Sequence, residues 1–338
     1  MSRDAMGALR FASPFVFALS IPALHYLAGP VAPSLTVAAL LAALIGAEWI
    51  ARREQGPEPR GRLFRALPNL YVPVQLAVIA WAVIVAQHAG GAGFAALALS
   101  VGVTTGVFGV LAAHELVHGH NRAERLLGLI MLTGMSYRHF RVAHIFGHHR
   151  YAATERDAAS ARLGESFYVF LPRTVLAQFA DAWSFEARRS RGRLAANRVA
   201  RDLAVLLALY LAIAVGLGRE SAVFFAVQSA IGIVVLELFN YIAHYGLARR
   251  DREPFTAAHS WNSSNALANA LIFNMGRHSW HHARPAASFE SLRHMPAAPE
   301  LPAGYAGSIL LALVPPLWLR VMDPAVQNLH TRPGNAPA

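Results

Sequence analysis

Apolar residues gather in six blocks, at 11–27, 32–50, 71–87, 93–113, 202–217 and 221–243. Short polar links separate them, apart from one longer link after the second block and a long polar segment between the fourth and fifth. Each block approaches the roughly 20 apolar residues with which an α-helix crosses the hydrocarbon core of a bilayer. The pattern therefore predicts an all-α integral membrane bundle of six helices. A seventh apolar stretch, 126–135, is too short to span and reads as a re-entrant or interfacial piece. Residues 1–325 form one membrane domain in this reading, and residues 326–338 form a disordered tail.

Charge sets the expected orientation. The links at 29–33 and 87–93 carry no arginine, and the link at Gly218 carries only Arg219. Arginines gather instead at the N-terminus, after the second block (Arg52, Arg53, Arg60, Arg62, Arg65), after the fourth block and in the tail. Basic residues concentrate in cytoplasmic loops, so both termini and both large polar segments are expected in the cytoplasm, with the chain multi-pass in a bacterial inner membrane.

Composition agrees with that reading. Only 14% of the 338 residues are charged, against about 25% in an ordinary soluble domain. The formal charge of +11 suits arginines that flank spans and meet anionic lipid headgroups. No nucleic-acid motif accompanies it, so nucleic acid is excluded as a partner. The chain has no cysteine, which excludes disulfides, haem-thiolate ligation and iron–sulfur clusters held by this chain. The first block begins near residue 11 with no clear small-residue cleavage site after it, and reads as a retained helix. The sequon Asn262-Ser263-Ser264, placed in the cytoplasm, is a chance match.

Nine histidines fall in four clusters: His114 and His118; His144, His148 and His149; His244; and His278, His281 and His282. Residues three or four apart share one face of a helix, so each multi-histidine cluster can aim its imidazoles at one point. The topology brings all four clusters to the same side of the membrane. Imidazole suits iron, copper and zinc, and nine ligands exceed the four to six that one ion takes, which makes two metals the natural count. His25 and His88 stand alone and read as amphipathic anchors.

His114-Glu115-Leu116-Val117-His118 taken alone fits a zinc peptidase, with Glu115 as general base. Such a site needs one further ligand and an open position, and six more clustered histidines are too many. A haem protein would place its ligands within facing spans, and a single-site metal transporter at mid-membrane depth. These clusters lie at or beyond the span ends, and a dinuclear iron oxygenase fits best.

The four clusters in this order resemble the membrane-bound alkane 1-monooxygenase family, within the wider membrane di-iron desaturase and hydroxylase superfamily. The resemblance is carried by Asn240-Tyr241-Ile242 with His244-Tyr245-Gly246, by 159–165 (ASARLGE), by His259-Ser260-Trp261-Asn262-Ser263, and by Arg277-His278-Ser279 with His281-His282-Ala283. Leu301-Pro302-Ala303-Gly304-Tyr305 and Pro315-Pro316-Leu317-Trp318, ending at Asp323-Pro324, extend it. It covers roughly residues 100 to 325. It implies that His114, His118, His144, His148, His149, His244, His278, His281 and His282 ligate two iron ions. It also implies dioxygen as co-substrate and insertion of oxygen into a terminal C–H bond of a hydrophobic molecule such as a medium-chain alkane. Electrons would come from a rubredoxin or ferredoxin-type donor served by an NAD(P)H-dependent reductase, an acidic partner that a basic cytoplasmic face would steer. A lipid, methylarene or terpenoid desaturase or hydroxylase would share this chemistry, and a histidine-rich metal transporter is the reading from another class.

The chain departs from the family where glutamate usually precedes the histidines of the second and third clusters. Ala143 and Ala243 stand there, Trp280 stands where the last cluster usually has an aspartate, and Gly119 and His120 follow the first cluster. Glu115, Glu237, Asp157 and Glu165 are the candidates to do the missing carboxylates' work. Glu115, Asn240 and Tyr241 are the candidate catalytic residues, with Asn240 and Tyr241 expected to hydrogen-bond His244 or its neighbours. Trp280 is expected to fill the aspartate's space as core packing, and His120 and His139 are auxiliary candidates. Phe108, Trp81 and Trp49 are expected in core or bilayer-facing packing rather than along a substrate tunnel.

Overall fold

A computed structural model describes residues 11–50 and 61–330. Arg52, Arg53 and Arg60, on which the expected orientation partly rests, lie outside the described residues, as do the first ten residues and 331–338. Among the described residues the regular structure is helical, joined by irregular segments, with one isolated bridge between Asn262 and Glu300.

Four helices are long and apolar enough to cross a membrane: α3 (Arg62–Val85), α4 (Gly91–Val117), α8 (Arg198–Leu217) and α9 (Arg219–His244). The first two apolar blocks form shorter helices, α1 (Ser13–Ala28) and α2 (Ser34–Ile50). The sequence places the third block's start at 71, but α3 begins nine residues earlier at Arg62. Its Pro68 and Pro73 are accommodated inside the helix, as neighbouring helices and polar side chains permit in membrane bundles. The stretch expected to be re-entrant or interfacial is α5 (Arg122–Thr133), started by the Asn121 side chain, which accepts from the Glu124 amide at 2.8 Å.

α4 and α9 form the centre of the bundle. Gly102 and Gly106 lie one turn apart on α4, and a Cβ at Gly102 would sit 2.6 Å from that of Ile231. At Gly106 it would sit 2.7 Å from the Gly232 carbonyl oxygen. Small residues at this spacing let two membrane helices approach backbone to backbone. Around Gly106 α4 widens into a π-turn at Thr105–Gly109, a feature that recurs at functional sites. Gln75 of α3 bonds the Thr105 hydroxyl at 2.8 Å, and Ser221 of α9 donates to the Val83 carbonyl at 2.7 Å.

α6 (residues 140–151) packs against α7 (Phe167–Arg189). Glu186 of α7 is buried against Arg189 and Arg198. Burial alone would raise its carboxyl, but hydrogen bonds from both arginines bring it to about 2. Short helices α10 (Ala266–Leu271), α11 (His278–Ala283) and α12 (Gly304–Ala312) lead to α13 (Pro315–His330). Because α13 continues to His330, the expected disordered tail does not begin at 326. Trp318, Met322 and Val326 are fully buried along one face of that helix, which holds it against the bundle.

Candidate metal centre

The nine histidines converge as two nests. His114, His118, His144, His149 and His281 form the first; His148, His244, His278 and His282 form the second. In each nest one ring nitrogen per residue lies within 4.8 Å of all the others. His114 in the last turn of α4 and His118 at its C-terminal cap, and likewise His278 and His282 on α11, are one α-helical turn apart and stay together, as helical spacing requires.

The second cluster behaves differently. On an α-helix His144 and His148 would share a face, and His149 would be turned away from His144 by about 140°. The stretch Ala143–His148 is instead a π-turn, whose wider winding bonds residue i to i+5 and so lifts His149 above His144. Their Nε2 atoms are 3.0 Å apart, and His148 is left to face the other nest. The expectation that each cluster aims at one point therefore fails for this cluster, and also for His281, which parts from His278 and His282.

These nitrogens demand a cation. His149 Nε2 lies 3.1, 3.0 and 3.0 Å from Nε2 of His118, His144 and His281. One imidazole nitrogen carries either one proton or one lone pair, so it satisfies one neighbour and leaves lone pairs facing each other. In the second nest His282 Nε2 lies 3.1 Å from that of His278 and 3.2 Å from that of His244. Nε2 of His114 and of His148 is buried with no partner. Buried polar atoms without partners are rare unless an ion satisfies them, and nitrogens about 3 Å apart match ligands holding a metal at about 2.0–2.1 Å. The residues fit two first-row transition ions.

Burial favours the neutral, metal-ready form of six of the rings. It pushes His118 down to about 4. Burial, reinforced by mutual repulsion, lowers His144, His149, His278, His281 and His282 well below the usual imidazole value.

The outer contacts are unequal. His148 Nδ1 bonds Asp157 Oδ2 at 2.8 Å, and the same oxygen accepts from the Ser160 hydroxyl at 2.6 Å. Burial alone would raise the Asp157 carboxyl, but His148 and the hydrogen bonds hold it below its usual range. His244 Nδ1 bonds the His259 carbonyl at 3.0 Å, a partner with no signal in the sequence because it is a backbone group. Asp157 is thus the one substitute carboxylate that meets a nest.

The other candidates sit elsewhere. Glu115 accepts from the Phe289 amide at 3.2 Å, away from the imidazoles. Glu165 pairs with Arg173 at 2.7 Å. Asn240 donates to Glu237 at 3.0 Å and Tyr241 to the Glu165 carbonyl at 2.6 Å, so neither holds His244 as expected. Trp280 is not core packing: it is partly exposed, with the guanidinium groups of Arg284 and Arg293 at 4.8 and 5.8 Å from its ring. His120 is exposed, and His139 packs edge-on to Tyr137 and Phe179. Phe108 is core, stacked on Phe17, while Trp49 is 87% exposed. Trp81 donates its indole N–H to the Tyr26 hydroxyl at 2.9 Å.

A cavity of about 40 Å³ touches His114 and His144 of the first nest and His278 of the second. Val110, Leu111, Leu236, Phe239 and Met275 give it an apolar flank, and Asn240, Ala243 and Tyr305 complete it toward the imidazoles.

Residues 91–309 match the fatty acid desaturase family. The chain is 39% identical over 290 residues to alkane 1-monooxygenase 1 of Pseudomonas aeruginosa, covering 82% of this chain and 76% of that protein. It is 36% identical over 304 residues to alkane 1-monooxygenase of Pseudomonas putida, covering 86% and 75%. The xylene/toluene monooxygenase hydroxylase component XylM of Pseudomonas putida is 28% identical over 229 residues, covering 66% and 62%.

Proposed function

The chain belongs to the alkane 1-monooxygenase family, and from that premise we propose that it hydroxylates a terminal C–H bond of a medium-chain alkane or similar alkyl group. It is an oxidoreductase of the membrane. The observation that carries the reading is the pair of histidine nests set against an apolar-flanked cavity. All nine histidines are the ligands in this reading, and two iron ions held by them would supply the reduction of dioxygen that places one oxygen atom in the substrate.

The chain's own residues do the rest. The apolar flank takes the end of an alkyl chain that reaches it from the bilayer, since transfer of each methylene out of water is worth about 0.8 kcal/mol. α1 and α2 complete a six-span body with the four longer helices, and the nests face the cytoplasm of a bacterial inner membrane. There, a rubredoxin or ferredoxin-type protein with its NAD(P)H-dependent reductase delivers electrons to a face rich in arginine.

Asp157 orients the His148 ring and fixes its proton on Nδ1, leaving Nε2 as the ligand atom. Carboxylates in that position raise metal affinity roughly 10–100-fold. Asp157→Asn is expected to weaken retention of one ion by that factor in chelator competition, and equal retention would remove Asp157 from the role.

The deciding experiment joins metal analysis to product analysis. Two irons per chain, and a primary alcohol formed from an alkane with electrons and dioxygen supplied, are the expected results. An alcohol formed only from a methylarene would move the substrate toward that of XylM. An alkene from a fatty-acyl substrate would refute hydroxylation.

A further inference from the structure

We propose that the corner where α6 and α7 meet the start of α8 binds the phosphate group of an anionic phospholipid, whose acyl chains lie along α8. Four guanidinium groups share two carboxylates there: Arg138 and Arg141 on Asp202, and Arg189 and Arg198 on Glu186. Both carboxylates are buried, so among the described residues two of the four positive charges go unbalanced. Charge held in a partly buried place is costly unless it is paired. Basic pockets beside membrane helices take lipid headgroups for this reason. The corner shares no residue with either nest or with the apolar-flanked cavity.

The two arginines on Asp202 are unequal. Arg138 is used up: Nε and Nη2 both reach Asp202 Oδ1 at 2.9 Å, and Nη1 donates to the Thr133 hydroxyl at 2.6 Å. Arg141 makes one contact, from Nη2 to Asp202 Oδ2 at 3.3 Å, and its Nε is buried with no partner. A guanidinium carries five N–H groups, so Arg141 keeps most of its donors for a ligand. Burial lowers it below its usual value; Asp202 opposes this, and nearby Arg198 and Arg138 add to it. Arg198 is fixed from two sides, by Glu186 and by the Phe146 ring, 5.4 Å from its guanidinium. Paired guanidinium groups match phosphate oxygens. Arg201, three residues further along α8, is exposed, and Leu203, Leu207 and Leu211 continue as an exposed apolar stripe at helical spacing. That stripe favours a lipid over free phosphate.

The test uses the full-length protein stripped of lipid in detergent, with residual phosphorus measured. Native mass spectrometry is expected to show phosphatidylglycerol retained in preference to phosphatidylcholine, and titrated phosphatidylglycerol should raise the melting temperature saturably. Arg141→Gln should weaken that titration at least tenfold. Arg141→Lys, which keeps the charge and loses the planar fork, should fall between. Arg219→Gln, just past the far end of α8, should leave it unchanged. Equal retention of phosphatidylcholine would overturn the site, and so would a melting shift that inorganic phosphate reproduces at the same concentration; neither result needs a variant to fold. Arg141→Gln protein that titrates like the parent would overturn it as well.

Discussion

Protein carrying His148→Ala is expected to hold about one iron per chain in place of two and to show no measurable turnover, with membrane insertion intact. His148 is one of only four nitrogens in its nest, so its loss removes a quarter of the donor set. It also strands Asp157, whose Oδ2 then keeps Ser160 but loses the imidazole. Leaving a buried carboxylate oxygen short of a donor costs about 1–3 kcal/mol, and here the second nest bears that cost. His281→Ala removes one of five nitrogens from the first nest, so iron should also fall there and turnover should again be lost. His88, which belongs to neither nest, is the control: His88→Ala should retain both ions. Mass spectrometry of the purified variants together with product analysis decides it, and full activity in either nest variant would refute the ligand set.

Glu237→Leu is expected to give the largest loss of stability. Its carboxylate is fully buried in α9 and accepts from the Tyr137 hydroxyl at 3.0 Å, Gln178 at 2.9 Å, Thr174 at 3.3 Å and Asn240 at 3.0 Å. An ionisable group at membrane depth persists only when it is paired in this way. Leucine would fill similar space and leave the four donors to compete for fewer acceptors, each unsatisfied one costing about 1–3 kcal/mol. The melting temperature in detergent should drop by several degrees, and Asn240, freed from its anchor, should lower turnover further. Glu237→Gln keeps the shape and one acceptor oxygen and should fall between the two. A leucine variant that melts with the parent would show that the network contributes nothing.

How far the sequence carries is visible residue by residue. Apolar blocks and histidine spacing suffice for helices and for a histidine-rich metal centre, because hydropathy and helical period are local properties. The partition of the histidines is not local. His148 and His149 are neighbours in sequence and go to different nests, a consequence of the π-turn that no periodicity announces. α3 starts early because Pro68 and Pro73 are tolerated by tertiary packing rather than by propensity. The carboxylate that meets a ligand, Asp157, was legible only as one of several acids. The role depends on the turn at residues 151–160, where the Ala159 amide and the Ser160 hydroxyl fix it. Asn240 and Tyr241 stand within one turn of His244, yet point their polar ends at Glu237 and the Glu165 carbonyl.

The π-turn at Ala143–His148 also works as a ruler. Adjacent residues contribute to different nests, and their Cα atoms are held about 3.8 Å apart by the peptide bond itself. The separation of the two nests is therefore set by covalent backbone on this side, with little left to side-chain flexibility. Inserting one residue here would break the i to i+5 relation that lines His149 up with His144, whereas the exposed loop at Arg250–Glu253 has no such duty. Length variation among related chains should accordingly be absent from the first stretch and tolerated in the second.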